Sequence, residues 1–231
     1  MIRCACLVDT ADAAKMPAEA ELLFRFDEPG RVSLGHDGSA MILRHGDEAR
    51  AAALLEAGAP RVLLGEAVLS DAELPLRLAA RFGPERVGLF VPARRMAVSW
   101  SFDTVSNADF RVVTPSLCQP GWEILRADGS ASGIRVGWWL GEMKKRGIST
   151  VLVQVDILDD TDLNLCAGLV EDLGEGLWIT PGGQADPALT DWVRYGKATR
   201  IALPPALFER RAVLLGDLLT PTAPMTDTEE A

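Results

Sequence analysis

The 231-residue chain has little that would build a metal centre or a disulfide framework: two histidines and four cysteines. Cys4 and Cys6 sit two apart in a strand-like segment, where they share a face but cannot easily bond to each other. Cys4, Cys6, His36 and His45 show no recognisable metal-ligand spacing. Reduced, buried thiols and no metal are therefore expected. Basic charge is also short. With 23 Lys and Arg against 33 Asp and Glu the formal net charge is −10, a field that repels phosphate backbones and anionic lipid. That argues against a dedicated nucleic-acid or membrane-surface protein, although a few backbone N–H groups can still hold a phosphate on an acidic protein. No apolar run approaches the roughly 20 residues needed to span a bilayer. The opening stretch from Met1 to Asp9 is too short for a signal peptide, so a cytoplasmic location is expected. No G-x-G-x-x-G follows the first strand-like segment, which weakens a dinucleotide-binding reading.

What is present is an ordinary globular composition, 48% apolar and 24% charged, on a length that can bury a sizeable core. Short apolar runs alternate with amphipathic stretches. Ala40–Arg44 reads as a strand feeding a helix from about Asp47 to Ala57. Arg61–Gly65 is the next strand, followed by a capping box from Ser70 to Glu73 and a helix with Leu74, Leu78 and Phe82 on one face. Arg86–Val91, Thr150–Val155, Gly176–Thr180 and Arg200–Leu203 continue the strands. Helices are predicted from about Arg135 to Lys145, after a Thr161 cap, after Asp186-Pro187 and from Pro205 to Arg210.

Strands that are almost continuously apolar and separated by helices make a parallel sheet covered on both faces. Gly182-Gly183 after the penultimate strand, with a short helix after the last, sits where a closed barrel builds its phosphate site. The expectation is a TIM-type (β/α)8 barrel over residues 1–220, with an insertion at about 105–134 and a disordered acidic tail at 221–231. Glu21–Phe26 and Arg31–Leu34, joined by Asp27-Glu28-Pro29-Gly30, read as a hairpin. The N-terminal quarter is then short enough for a strand to be missing or replaced.

The run from Leu54 to Ala67, continuing through Glu73-Leu74 to Arg81–Leu89, resembles the middle of the histidine-biosynthesis barrels: phosphoribosylformimino-aminoimidazole-carboxamide ribotide isomerase and its cyclase relative. Met96–Trp100 is similar to the hairpin that follows the isomerase's fifth strand, and Ile179–Gly183 to its Ser-Gly-Gly phosphate loop. The resemblance implies an aldose–ketose (Amadori) isomerisation driven by a pair of carboxylates at strand ends, with no cofactor. Asp9, after the first strand, matches one of the pair. Phe90-Val91-Pro92 occupies the place of the other, and losing such a partner removes a factor of roughly 10² to 10⁴. Pro204-Pro205 replaces the last phosphate loop, removing two N–H donors.

Three readings follow. In the first, the chain is a divergent relative that binds a small phosphorylated metabolite through Gly182 and Gly183. The degraded motifs are similar to an offshoot linked to tetrahydromethanopterin and methanofuran one-carbon metabolism. In the second, it is an orthodox histidine-pathway isomerase in which Asp156 or Asp159 replaces the missing carboxylate beside Asp9. In the third, it is a non-catalytic barrel subunit or scaffold. Homo-oligomer and protein complex both stay open, with Trp138 and Trp139 read as packing residues or an oligomer contact.

Overall fold

A computed structural model describes residues 2–9, 20, 22–28, 39–96, 102–107, 110–115 and 120–219. Eight parallel strands close into a barrel: β1 (Arg3–Val8), β2 (Leu23–Phe26), β3 (Ala40–Leu43), β4 (Arg61–Leu64), β5 (Val87–Arg95), β10 (Thr150–Gln154), β11 (Leu177–Thr180) and β12 (Arg200–Leu203). Closure is made by β12 against β1, with Cys4 opposite Ile201 and Cys6 opposite Leu203. The TIM-type (β/α)8 barrel expected from the strand pattern is the fold. The hairpin reading of residues 21–34 is corrected. Leu23–Phe26 is the second barrel strand, parallel to β1 and β3, so no barrel strand is missing; Arg31–Leu34 lie outside the described residues.

Helices α1 (Glu48–Glu56), α2 (Ala67–Ser70), α3 (Leu74–Phe82), α4 (Val136–Lys145), α5 (Asp160–Leu173), α6 (Leu189–Arg194), α7 (Pro205–Glu209) and α8 (Arg211–Leu215) follow the strands. Burial sorts the strand residues by alternation. One face of each strand joins the helices in an outer core holding Leu54, Leu78, Leu140 and Leu169. Each such side chain, fully buried, is worth about 1.5–3 kcal/mol. The other face fills the lumen. There Phe24 meets Trp178 edge to face at 5.3 Å and Phe26 meets Phe90 at 5.4 Å. Phe90 is therefore lumen packing.

Three helix starts differ from the sequence reading. Ser70 closes α2, donating to the Ala67 carbonyl, and it is Asp71 that accepts the Glu73 amide ahead of α3. Helix α5 is capped by Asp159, two residues before Thr161. Helix α6 begins at Leu189, beyond Asp186-Pro187. Each case has several oxygen-bearing side chains within one turn, and tertiary packing selects among them. Of the two tryptophans on α4, Trp139 is buried and Trp138 is 65% exposed.

Between β5 and β10 the chain leaves the barrel. The end of β5 pairs antiparallel with β8 (Trp122–Leu125), which pairs with β9 (Ala131–Arg135), while β6 (Phe102–Asn107) and β7 (Phe110–Pro115) pair with each other. The β8–β9 turn falls on Ala127-Asp128-Gly129, where Gly129 takes φ +82° and its amide bonds the Arg126 carbonyl. At the end of β4 a glycine is required by contact. The Gly65 amide donates to the Leu43 carbonyl at 2.9 Å, and a Cβ there would lie 2.6 Å from that oxygen and 2.8 Å from the Arg44 oxygen. Residues 221–231 lie outside the described residues. No helix among the described residues is long and apolar enough to cross a membrane.

Candidate functional site

Barrel chemistry gathers at the C-terminal ends of the strands. There two adjoining cavities, of about 250 and 170 Å³, share Arg44 and Gln154. A hollow of about 540 Å³ opens elsewhere, around Thr150, Gly176 and Arg200, at the strand starts. The first mouth cavity is lined by Asp9, Phe26, Arg44, Gly182, Gly183 and Pro204 among others. The second is lined by Glu66, Phe90, Pro92 and the β8–β9 turn.

On the β1–β3 side, Asp9 leaves the end of β1 and its Oδ2 takes a 3.3 Å contact from Arg44 Nη2, with both side chains nearly half exposed. The same guanidinium lies 3.7 Å from the centroid of the Phe26 ring, a cation–π contact that fixes its height above the lumen. Deeper in this wall, Asp27 is held in a two-point bond by Arg50 of α1, at 2.9 and 2.7 Å. Glu66 pairs with His45 at 3.6 Å and accepts the Ala127 amide at 3.3 Å. His36 lies outside the described residues.

The β5–β11 side carries no carboxylate in the corresponding row. Register sets Pro92 opposite Gln154 and Gln154 opposite Thr180. The last β5 residue in register with β10 is thus Pro92, with Phe90 two residues before it in the lumen. A pyrrolidine, a carboxamide and a hydroxyl occupy three neighbouring strands, and none is an acid or base at neutral pH.

Two residues past β10, Asp156 turns onto the loop after β11. Its Oδ1 accepts the amides of Gly182, Gly183 and Gln184 at 2.8, 2.9 and 3.1 Å. A Cβ on Gly182 would lie 3.1 Å from Asp156 Oδ2, close enough that the carboxylate would have to give by a few tenths of an ångström. Gly182 and Gly183 therefore do form an anion cradle, and the chain's own side chain fills it.

Asp159 is placed away from both cavities. Its Oδ1 caps α5 by accepting the Thr161 and Asp162 amides at 2.8 and 3.2 Å, and Arg95 Nη1 donates to its Oδ2 at 2.7 Å. The Arg95 guanidinium holds the Asp159 carboxyl well below the usual carboxylate range, with the two amides adding to the effect. Arg95 also donates to the buried Asp162 at 2.9 Å. Asp162 further accepts Trp122 Nε1 at 2.8 Å and the Leu158 amide at 3.0 Å. These contacts tie the insertion and the end of β5 to α5. The structure brings Asp9, Gly182 and Gly183 to one cavity and leaves Asp159 outside it.

The cysteines carry no reactive site among the described residues. Burial pushes the Cys166 thiol up to about 12 and Cys6 up to about 11, and raises Cys4; a thiol that stays protonated is a poor nucleophile and ligand.

Sequence comparison agrees with this geometry and stops short of assigning it. No family model matches the chain. It is 33% identical over 137 residues to the 1-(5-phosphoribosyl)-5-(5-phosphoribosylaminomethylideneamino)imidazole-4-carboxamide isomerase of Deinococcus radiodurans, covering 52% of this chain and 53% of that enzyme. It is 31% identical over 126 residues to the imidazole glycerol phosphate synthase subunit HisF of Trichormus variabilis, covering 52% of this chain and 42% of that subunit. The chain is thus similar, at a distance, to histidine-biosynthesis-type barrels, and it spans about half the length of the curated relatives it matches.

Proposed function

We propose that this chain is a divergent barrel of the histidine-biosynthesis type that binds a small phosphorylated metabolite at its mouth. In this reading Asp9 is the proton carrier, Arg44 is the cation beside it, and the amides of Gly182 and Gly183 face the phosphate. The observation that carries it is the mouth cavity itself. A carboxylate–guanidinium pair stands on the β1–β3 side and a three-amide anion cradle stands on the β11 side. The row between them holds Pro92, Gln154 and Thr180.

That row is also why the reading turns away from the histidine-pathway reaction. An Amadori isomerisation needs a second group that gives or takes a proton opposite Asp9, and a proline at the end of β5 cannot do so. Asp159 lies outside both mouth cavities, tied to Arg95 and the start of α5. Asp156 is bound by three amides. The degraded motifs resemble the one-carbon offshoot of these barrels, and a role in making or using such cofactors completes the proposal.

The test is direct. Purified protein is expected to show no turnover of the phosphoribosylformimino ribotide and no rescue of a histidine auxotroph. Turnover that disappears in Asp9→Asn would overturn the divergence and restore the orthodox isomerase.

A further inference from the structure

The loop after β11 is filled before any ligand arrives. Parallel pairing sets Gln154 of β10 opposite Thr180 of β11, and the Val155 amide extends the pairing to the Thr180 carbonyl. Carried two residues further, that register places Asp156 opposite Gly182, and the structure shows the carboxylate bonded to three consecutive amides there. Successive N–H groups converging on one oxyanion form a nest of the kind that holds phosphate, and hydrogen bonds to an ionised acceptor are the stronger class. A second observation sits in the same segment. Thr180 Oγ1 and Gln184 Oε1 are buried without a hydrogen-bond partner among the described residues, although Thr180 is fully buried and Gln184 lines the mouth cavity. Buried polar atoms are normally paired. The strand and loop that carry the nest therefore retain polar capacity that no other described residue takes up.

We infer that Asp156 is an internal competitor for the anion nest at Gly182–Gln184: a tetrahedral oxyanion seats on these amides only after the Asp156 carboxylate has left them. This deepens the phosphorylated-metabolite reading and rests on it for the identity of the natural ligand, though not for the competition itself. A tethered carboxylate acts at an effective concentration of about millimolar or above, and its charge repels an incoming phosphate. Inorganic phosphate at moderate concentration loses this competition. Asp156 thereby sets which ligands can use the loop. Only an anion with further contacts elsewhere in the mouth, at Arg44 for example, displaces it.

The experiment follows the backbone amides of Gly182, Gly183 and Gln184 by NMR in the 15N-labelled full chain during titration with inorganic phosphate, in wild type, Asp156→Ala and Asp156→Asn. The alanine variant removes the competitor. The asparagine variant keeps the side chain's shape without its charge, and replaces the alanine variant if that one fails to fold. In the variant these amides are expected to shift, with an apparent affinity about tenfold or more above that of wild type. Equal midpoints in wild type and variant would overturn the competition, and so would amides that ignore phosphate once the carboxylate is gone. Failure of the broader reading looks different. There the variant's loop would respond to inorganic phosphate while ribose 5-phosphate bound neither protein.

Discussion

The two walls of the barrel mouth use their carboxylates differently. On the β10–α5 side three are committed: Asp156 to three amides, Asp159 to a helix start and Arg95, Asp162 to Arg95, Trp122 and the Leu158 amide. On the β1 side Asp9 meets Arg44 at 3.3 Å and stays nearly half exposed. The acidic residues of that side hold structure together, and the half-exposed Asp9 lies across from them.

The sharpest way to break this contrast is Asp162→Ala. Its side chain is 1% exposed, and removing it leaves the Trp122 indole N–H and the Leu158 amide without their acceptor, while Arg95 keeps Asp159. Leaving buried donors without an acceptor costs about 1–3 kcal/mol, measurable by urea unfolding. A loss below about 1 kcal/mol would show that this wall is not held as described.

Asp159→Asn should act less on stability and mainly on its pH dependence. The folded-state pKa of Asp159 lies below its ordinary 3.8, so the Arg95 contact contributes fully above that value and is lost as pH falls through the folded value. Melting curves from about pH 2 to pH 7 should therefore show a flatter acid limb in Asp159→Asn than in wild type. Parallel limbs would remove Arg95 as the cause.

Asp9→Asn should have the smallest structural effect, within about 0.5 kcal/mol of wild type in urea unfolding. A half-exposed ion pair contributes little. A larger loss would make Asp9 as structural as the opposite wall.

Much of the fold was legible because the barrel strands are apolar runs, and a run such as Arg61–Leu64 needs no partner to be seen. Leu23–Phe26 misled because it is only four residues long and is followed by Asp27-Glu28-Pro29-Gly30, a strong turn signal; the direction in which a strand pairs is not written locally. Of the site, Asp9 and Gly182-Gly183 were readable from their positions after strands. Arg44, Arg95, Asp162 and the Asp27–Arg50 bond were missed because their partners lie 23 to 67 residues away with no periodic spacing. The Asp156–Gly182 bond was missed too, yet a signal for it existed. Each residue follows its strand by two, and β10 and β11 are neighbours in a parallel barrel, so register alone would have placed them side by side.

Gly65 carries no chemistry of its own, yet it governs the direction of the mouth's shared cation. A methyl group at that position would press on the carbonyl oxygens of Leu43 and Arg44, and the strand could yield only by rotating the peptide from which Arg44 departs. Such a rotation would disturb the backbone bonds from Gly65 to Leu43 and from Glu66 to Arg44 and carry the guanidinium off its seat on the Phe26 ring. The aim of the arginine is set by an atom that the neighbouring strand does not have.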